Sequence, residues 1–160
     1  MLRSVFMDIE KKVQLQATPS QIWGLILDPQ LMAQCVPGVE SVEVISDDEY
    51  LVVIKVKISF VSATFKIRTH IAEREEGVRM HCVGQGEDAA LASKLKHATD
   101  VVLSEPQPGT TELTIKSKVD VLGRVGSFGL SAMKTKVDRM WDEFCVALKD
   151  KLESAISVKN

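Results

Sequence analysis

The sequence predicts an α+β fold in which a curved, seven-stranded antiparallel sheet wraps around one long C-terminal helix, with two short helices after the first strand. Three observations carry this expectation. From Val39 to Leu122 apolar and polar side chains alternate at period two, interrupted by turn-forming residues. Near the C-terminus Leu130, Met133, Val137, Met140, Trp141, Phe144, Leu148 and Leu152 recur at steps of three and four, which puts them on one face of a helix. Between the first alternating segment and the rest lies Thr18-Pro19-Ser20-Gln21, the chemistry of a helix start.

Taken in order, Ile9–Gln16 alternates as a strand, with Val13 and Leu15 facing away from Lys12 and Gln14. Thr18 can cap the orphan amides of the helix that follows, Pro19 suits its first position, and Gln21 completes a capping box. That helix carries Ile22, Trp23, Ile26 and Leu27. It ends at Asp28-Pro29, because a proline disfavours the α conformation in its predecessor. A second short helix spans Gln30–Cys35 and stops at Pro37-Gly38. Strands then read Glu40–Ser46, Tyr50–Ser59, Ala63–Ala72, Val78–Gly86, Leu95–Glu105 and Thr111–Leu122. Tyr50, Val52, Ile54, Val56 and Ile58 share a face, as do Ala63, Phe65, Ile67, Thr69 and Ile71. Such alternation means one wet and one covered face. The cover is the final helix, Ser127–Ala155, about 43 Å long at 1.5 Å per residue, with Ser127 as its N-cap and Gly123, Gly126 and Gly129 around the preceding corner.

Composition narrows the function. The 160 residues carry 20 basic and 22 acidic side chains, a formal net charge of −2. A nucleic-acid binder would need a surplus of cations, so none is expected as partner. A chain of this length buries roughly 69% of its unfolded surface, enough for one core, and without repeats or linkers residues 1–160 read as a single domain. No apolar run approaches the ~18 residues of a membrane span, and Met1–Met7 is too short for a signal peptide before Asp8 and Glu10. Cys35, Cys82 and Cys145 suggest neither a disulfide framework nor a zinc site. The expected location is the cytoplasm. Membrane contact is at most peripheral, through the apolar stub Leu2, Val5 and Phe6, because Asp138, Asp142, Asp150 and Glu153 dilute the basic residues of the long helix, whose charges read as a solvated face with i,i+4 pairs.

Little in the sequence suggests catalysis, and no cofactor is expected. Adjacent His81 and Cys82 point to opposite faces of a strand, which disfavours a metal site. Cys82 and Cys145 have no sequence-near base. Gly84-Gln-Gly86 and Gly123-Arg-Val-Gly126 lack the spacing and lysine of phosphate loops and read as relief of crowding at a bulge and a corner. The acids at Asp47-Asp48 and Glu75-Glu76 fall in solvated turns. The inward set is Phe65, Ile67, Met80, Cys82, Leu95, Val101, Ile115 and Val119 from the sheet, with Met133, Val137, Met140, Trp141 and Phe144 from the helix. By pattern alone these are ordinary core. His97 shares their face, between Leu95 and Thr99. It can donate a hydrogen bond to a carbonyl or quinone oxygen with Thr99 and Ser117 as companions; the plain alternative is a histidine bonded to backbone or water. His70 and His81 fall on the wet face.

Three stretches, Ala17-Thr-Pro-Ser-Gln-Ile-Trp-Gly-Leu-Ile-Leu-Asp-Pro29, Cys35-Val-Pro-Gly-Val-Glu-Ser41 and Val56-Lys-Ile-Ser-Phe-Val-Ser-Ala-Thr-Phe-Lys66, resemble the carbon-monoxide-dehydrogenase G-subunit family. That family lies within the helix-grip superfamily of START lipid-transfer domains, birch-pollen allergens and polyketide cyclases. The resemblance runs from about Met7 to Leu152. It departs at Asp88-Ala-Ala-Leu-Ala-Ser-Lys94, where the family is glycine-rich, and the chain ends soon after the helix. The resemblance implies a non-enzymatic accessory of a molybdenum hydroxylase of the carbon-monoxide-dehydrogenase type, holding a lipid or quinone-like molecule in an apolar pocket; that pocket, more than recruitment to a membrane, is the expected inheritance. The ligand-binding set it implies is Phe65, Ile67, Met80, Leu95, His97, Ile115, Met133, Val137, Met140, Trp141 and Phe144. Methionines suit such a site, being flexible and polarisable. Two alternatives stand beside the carrier: an adaptor with a filled core that recruits a dehydrogenase, and a cyclase or hydrolase using His97 as acid or base.

Overall fold

The computed structural model describes residues 4–159, and their side chains as far as residue 155. Strand β1 (Ser4–Leu15) leads through α1 (Pro19–Ile26) and α2 (Pro29–Cys35) into β2 (Val39–Ser46), β3 (Glu49–Ile58), β4 (Val61–Glu75), β5 (Arg79–Asp88), β6 (Ser93–Gln107) and β7 (Thr110–Gly123). A single 3-10 turn, Val125–Phe128, precedes the long helix α3 (Leu130–Lys159). The seven strands form one antiparallel sheet ordered β1-β7-β6-β5-β4-β3-β2. Everything but β1 is therefore a meander of hairpins, and the first strand returns to pair with the last along its whole length, from Ser4↔Leu122 to Leu15↔Thr111.

Local chemistry explains the short elements. Thr18 and Gln21 close a reciprocal capping box, with Gln21 N donating to Thr18 Oγ1 at 3.3 Å and Thr18 N to Gln21 Oε1 at 2.9 Å. Asp28 follows α1 and caps α2, accepting from the amides of Gln30 and Leu31. Pro29 opens α2, where its missing N–H costs nothing. These two caps fix the short helices over one end of the concave face.

Most element limits differ from expectation by a few residues, and two of these shifts have structural consequences. The strand β1 begins at Ser4, five residues before Ile9, because β7 is long enough to pair with all of it. Val5 is consequently buried as core beside Met7 and Ile9, while Phe6 faces out and is 70% exposed. The apolar stub thus extends the strand, and Leu2 lies outside the described residues. The long helix begins at Leu130 and Ser127 does not cap it. Gly129 takes φ +90°, a conformation closed to most side chains, so the chain breaks there. Ser127 sits in the 3-10 turn and donates its hydroxyl to the Arg124 carbonyl.

Helix α3 lies across the concave face and is tied to β1 by charge. Lys11, at an inward position of β1, reaches Asp142 at 3.0 Å and Asp138 at 3.6 Å. Its ammonium is raised above the usual lysine range chiefly by the hydrogen bond to Asp142. Asp142 stays exposed, as expected of a solvated helix face, and with Asp138 it also ties the helix to β1. The core falls into two clusters. One gathers Leu15, Ile22, Trp23, Leu103, Leu113 and Ile115 beneath Phe144, Leu148 and Leu152; the other gathers Val5, Met7, Ile9, Ile54, Phe65, Val119 and Val121 around Met133. A domain of this size usually has one contiguous core.

Candidate functional site

A cavity of about 410 Å³ takes its walls from both clusters. The floor is the inward face of β3 to β7, the roof is the N-terminal half of α3, and α2 with β2 closes one side. Phe65, Ile67, Met80, Leu95, His97, Met133, Val137, Met140, Trp141 and Phe144 all line it. Ile115 does not: it is buried in the cluster beneath the C-terminal half of α3. Val101 also packs against that cluster and stays out of the cavity wall. Sequence reasoning misses a whole wall, Tyr50, Val52, Ile54, Val56 and Ile58 from β3 with Met32 from α2 and Val36 just after it. The signal was present, since the β3 residues share one face at period two, but the site set drew nothing from that strand.

The lining is almost wholly apolar. Trp141 and Phe144 stand edge to face with ring centroids 5.6 Å apart, a favourable aromatic geometry. The exceptions are the Tyr50, Cys82 and Lys136 side chains and one connected row: Thr69, His97, Thr99 and Ser117. In that row His97 Nε2 lies 3.2 Å from Thr69 Oγ1 and Nδ1 lies 3.1 Å from Thr99 Oγ1. Thr99 Oγ1 in turn lies 2.8 Å from Ser117 Oγ. Burial drives the His97 imidazole down to about 4, so it is neutral at pH 7. Burial also pushes the Cys82 thiol up to about 11, which leaves it protonated and a poor nucleophile. On the wet face His70 is exposed, and His81 Nδ1 meets Asp100 Oδ1 at 2.7 Å.

The backbone makes room for this row. His97 on β6 and Thr69 on β4 are not adjacent; Gly84 on β5 stands between them in register. A Cβ at Gly84 would overlap His97 Nε2 and come within 2.8 Å of Thr69 Oγ1. The ring crosses the middle strand because that position has no side chain. Gly84 and Gly86 thus occupy regular strand positions and not the bulge expected for them; the β4–β5 irregularity falls at Ile71/Glu73. Gly84→Ala is expected to displace the ring, break both of its hydrogen bonds and cost about 1–3 kcal/mol. Urea denaturation and the imidazole NMR signals of His97 report the two effects, and an unmoved ring in a fully stable variant would contradict the account.

Compared with known families, residues 12–153 match the family model of the carbon monoxide dehydrogenase G-subunit, CoxG. The chain belongs to that family. No curated protein sequence matches it. Solved structures share the fold of this CoxG member at low identity. A conserved protein from Geobacillus kaustophilus superposes with a TM-score of 0.85 at 17% identity, over 93% of this chain and 97% of that one. A START superfamily protein from Mycobacterium smegmatis gives 0.73 at 16%, over 92% and 98%. An aromatase/cyclase from Streptomyces sp. R1128 gives 0.69 at 14%, over 94% and 96%. The fold is therefore the helix-grip fold of the START superfamily. Among the described residues no helix is long and apolar enough to cross a membrane.

Proposed function

We propose that this CoxG member is a non-catalytic carrier that shelters a lipid or quinone-like molecule between sheet and helix. As an accessory it presents that molecule to a molybdenum hydroxylase of the carbon-monoxide-dehydrogenase type. The observation that carries the reading is an apolar cavity of about 410 Å³ with a single polar row. Small-molecule sites run from roughly 300 to 1,000 Å³, with a few fixed polar groups in an apolar wall. The pocket is partly open to solvent, so without a guest its apolar walls face water. Water fills it poorly, because each buried water wants two to four polar partners. An apolar guest covers those walls and gains ~25 cal/mol per Å² buried.

Phe65, Ile67, Met80, Leu95, Met133, Val137, Met140, Trp141 and Phe144 would hold the apolar body, with His97 and its neighbours orienting a polar end. Ile115 would pack beside the cavity, in the cluster under the C-terminal half of α3, without touching the guest. Exchange goes through the side closed by α2 and β2, since a guest cannot cross a paired sheet. The family supports the dehydrogenase as recipient, and the absence of a spanning helix among the described residues is consistent with work at the cytoplasmic face of the membrane through peripheral contact.

Denaturing mass spectrometry of protein purified from its native host tests the carrier directly and is expected to release an apolar molecule. Val137→Trp, which fills the cavity, is expected to weaken binding of added naphthoquinones or fatty acids at least tenfold while the melting temperature stays within a few degrees. Empty native protein, together with no thermal shift on adding either ligand class, would leave the adaptor reading in its place.

A further inference from the structure

The sheet is open at its β2 edge. β2 ends the strand order, and outside its ladder with β3 none of the backbone groups of residues 40–46 finds a backbone partner among the described residues. The opposite edge differs, because Lys11 ties β1 to helix α3. Along β2 the pairing with β3 is regular from Ser41↔Val53 to Val44↔Tyr50, between two irregularities. Two neighbouring apolar side chains, Val44 at 50% and Ile45 at 42%, stand exposed on this strand. An unpaired edge that also displays apolar side chains is a template for another extended chain.

Charge decides which chain. Residues 37–50 contain five acids and no base, although the whole protein carries a net charge of only −2. Asp48 is partnered by Arg74 and Glu49 by Arg68. Glu40, Glu43 and Asp47 form no ion pair among the described residues. A second copy laid along β2 would bring the same acids side by side, and like charges opposed across a ladder are destabilising. The two irregularities add to this guard against indiscriminate pairing. An anionic lipid surface is repelled by the same acids. We infer that β2 is a docking edge for an extended, lysine- or arginine-bearing segment of a partner protein, which joins the seven-stranded sheet as an additional strand. Backbone hydrogen bonds supply the pairing, Val44 and Ile45 give the incoming side chains an apolar seat, and Glu40, Glu43 and Asp47 select their charge. Docking there does not depend on what the cavity holds. Val42 of the same strand lines the cavity, so the partner would settle against the side closed by α2 and β2, where exchange is proposed.

The test uses full-length protein labelled with 15N and three synthetic peptides of about eight residues, a little longer than the open stretch of β2. One alternates lysine and valine, one has glutamate in place of each lysine, and the third is the lysine peptide with its backbone nitrogens methylated. The third keeps the charge and cannot donate to a ladder. NMR titration at low ionic strength is expected to show the lysine peptide bound at least tenfold more tightly than either of the others. Its amide shifts are expected to concentrate in residues 41–46, and hydrogen exchange there to slow. In Glu40→Lys/Glu43→Lys, which reverses the charge of the edge at two exposed positions, the preference is expected to pass to the glutamate peptide. The docking edge is overturned if the lysine peptide and its methylated form bind equally, which would leave charge attraction alone, or if the shifts fall outside β2. It is overturned as well if the double variant keeps the parent's preference, or if no peptide binds. Dimerisation of the protein alone, with the same amides protected, would make a second copy the occupant and overturn it too.

Discussion

Leu148→Ala is expected to cost about 2–5 kcal/mol of stability, whereas Met140→Ala, two turns earlier on the same helix, is expected to cost no more than about 2, the low end of that range. Both residues belong to the apolar stripe of α3, and by sequence they are equivalent. Leu148 is fully buried in the cluster that joins Ile22 and Trp23 of α1 to Leu113 and Ile115 of β7, so removing its side chain opens a new void among tightly packed neighbours. Met140 already borders open space and makes correspondingly fewer contacts to lose. Urea denaturation of the two variants measures the difference. Equal losses would mean that the N-terminal half of the helix is as tightly packed as the C-terminal half, with no hollow beneath it.

The second large effect depends on pH. His97 titrates near 4 in the folded protein, against about 6.5 in an unfolded chain. The folded state therefore binds fewer protons than the unfolded state between these values, and stability falls as pH falls through that window. Above pH 6.5 both states are neutral at this site and the effect is absent; below 4 both are charged and it is constant. The total is on the order of 3 kcal/mol. Measured at pH 7 and pH 4.5, the wild-type protein is expected to lose most of this amount relative to His97→Leu, the other titrations being common to both. Parallel pH profiles for the two proteins would mean that His97 is solvated when folded.

Much of this architecture was legible because its signals are local. Period two assigned Phe65, Ile67, Leu95 and His97 to the covered face, the three-and-four spacing assigned Met133 to Leu152 to one stripe, and the Thr18 and Asp28-Pro29 chemistry set the short helices. What escaped depends on position along an element or on neighbours across the sheet. Alternation gives the face of Ile115 but not its height along β7, and at its height the helix above is packed. Ser127 is a good cap by composition, yet the backbone turn at Gly129 decides where the helix begins. Thr69 was read as an inward residue and not as a partner of His97, because their meeting depends on the register that places Gly84 between them.

The pairing of the first strand with the last also governs how the chain matures. Ser4 and Asp120, joined by a side-chain hydrogen bond, are 116 residues apart, so β1 leaves the ribosome long before the strand that will accept it. At roughly 5–20 residues per second the wait lasts on the order of ten seconds, during which Val5, Met7 and Ile9 have no native cover. Assembly of the hairpins from β2 to β6 can proceed in the meantime, but the sheet cannot be completed until β7 has been made. Ribosome-associated chaperones would find their natural target in those opening residues, and truncation anywhere before β7 would leave a sticky, unmatched edge.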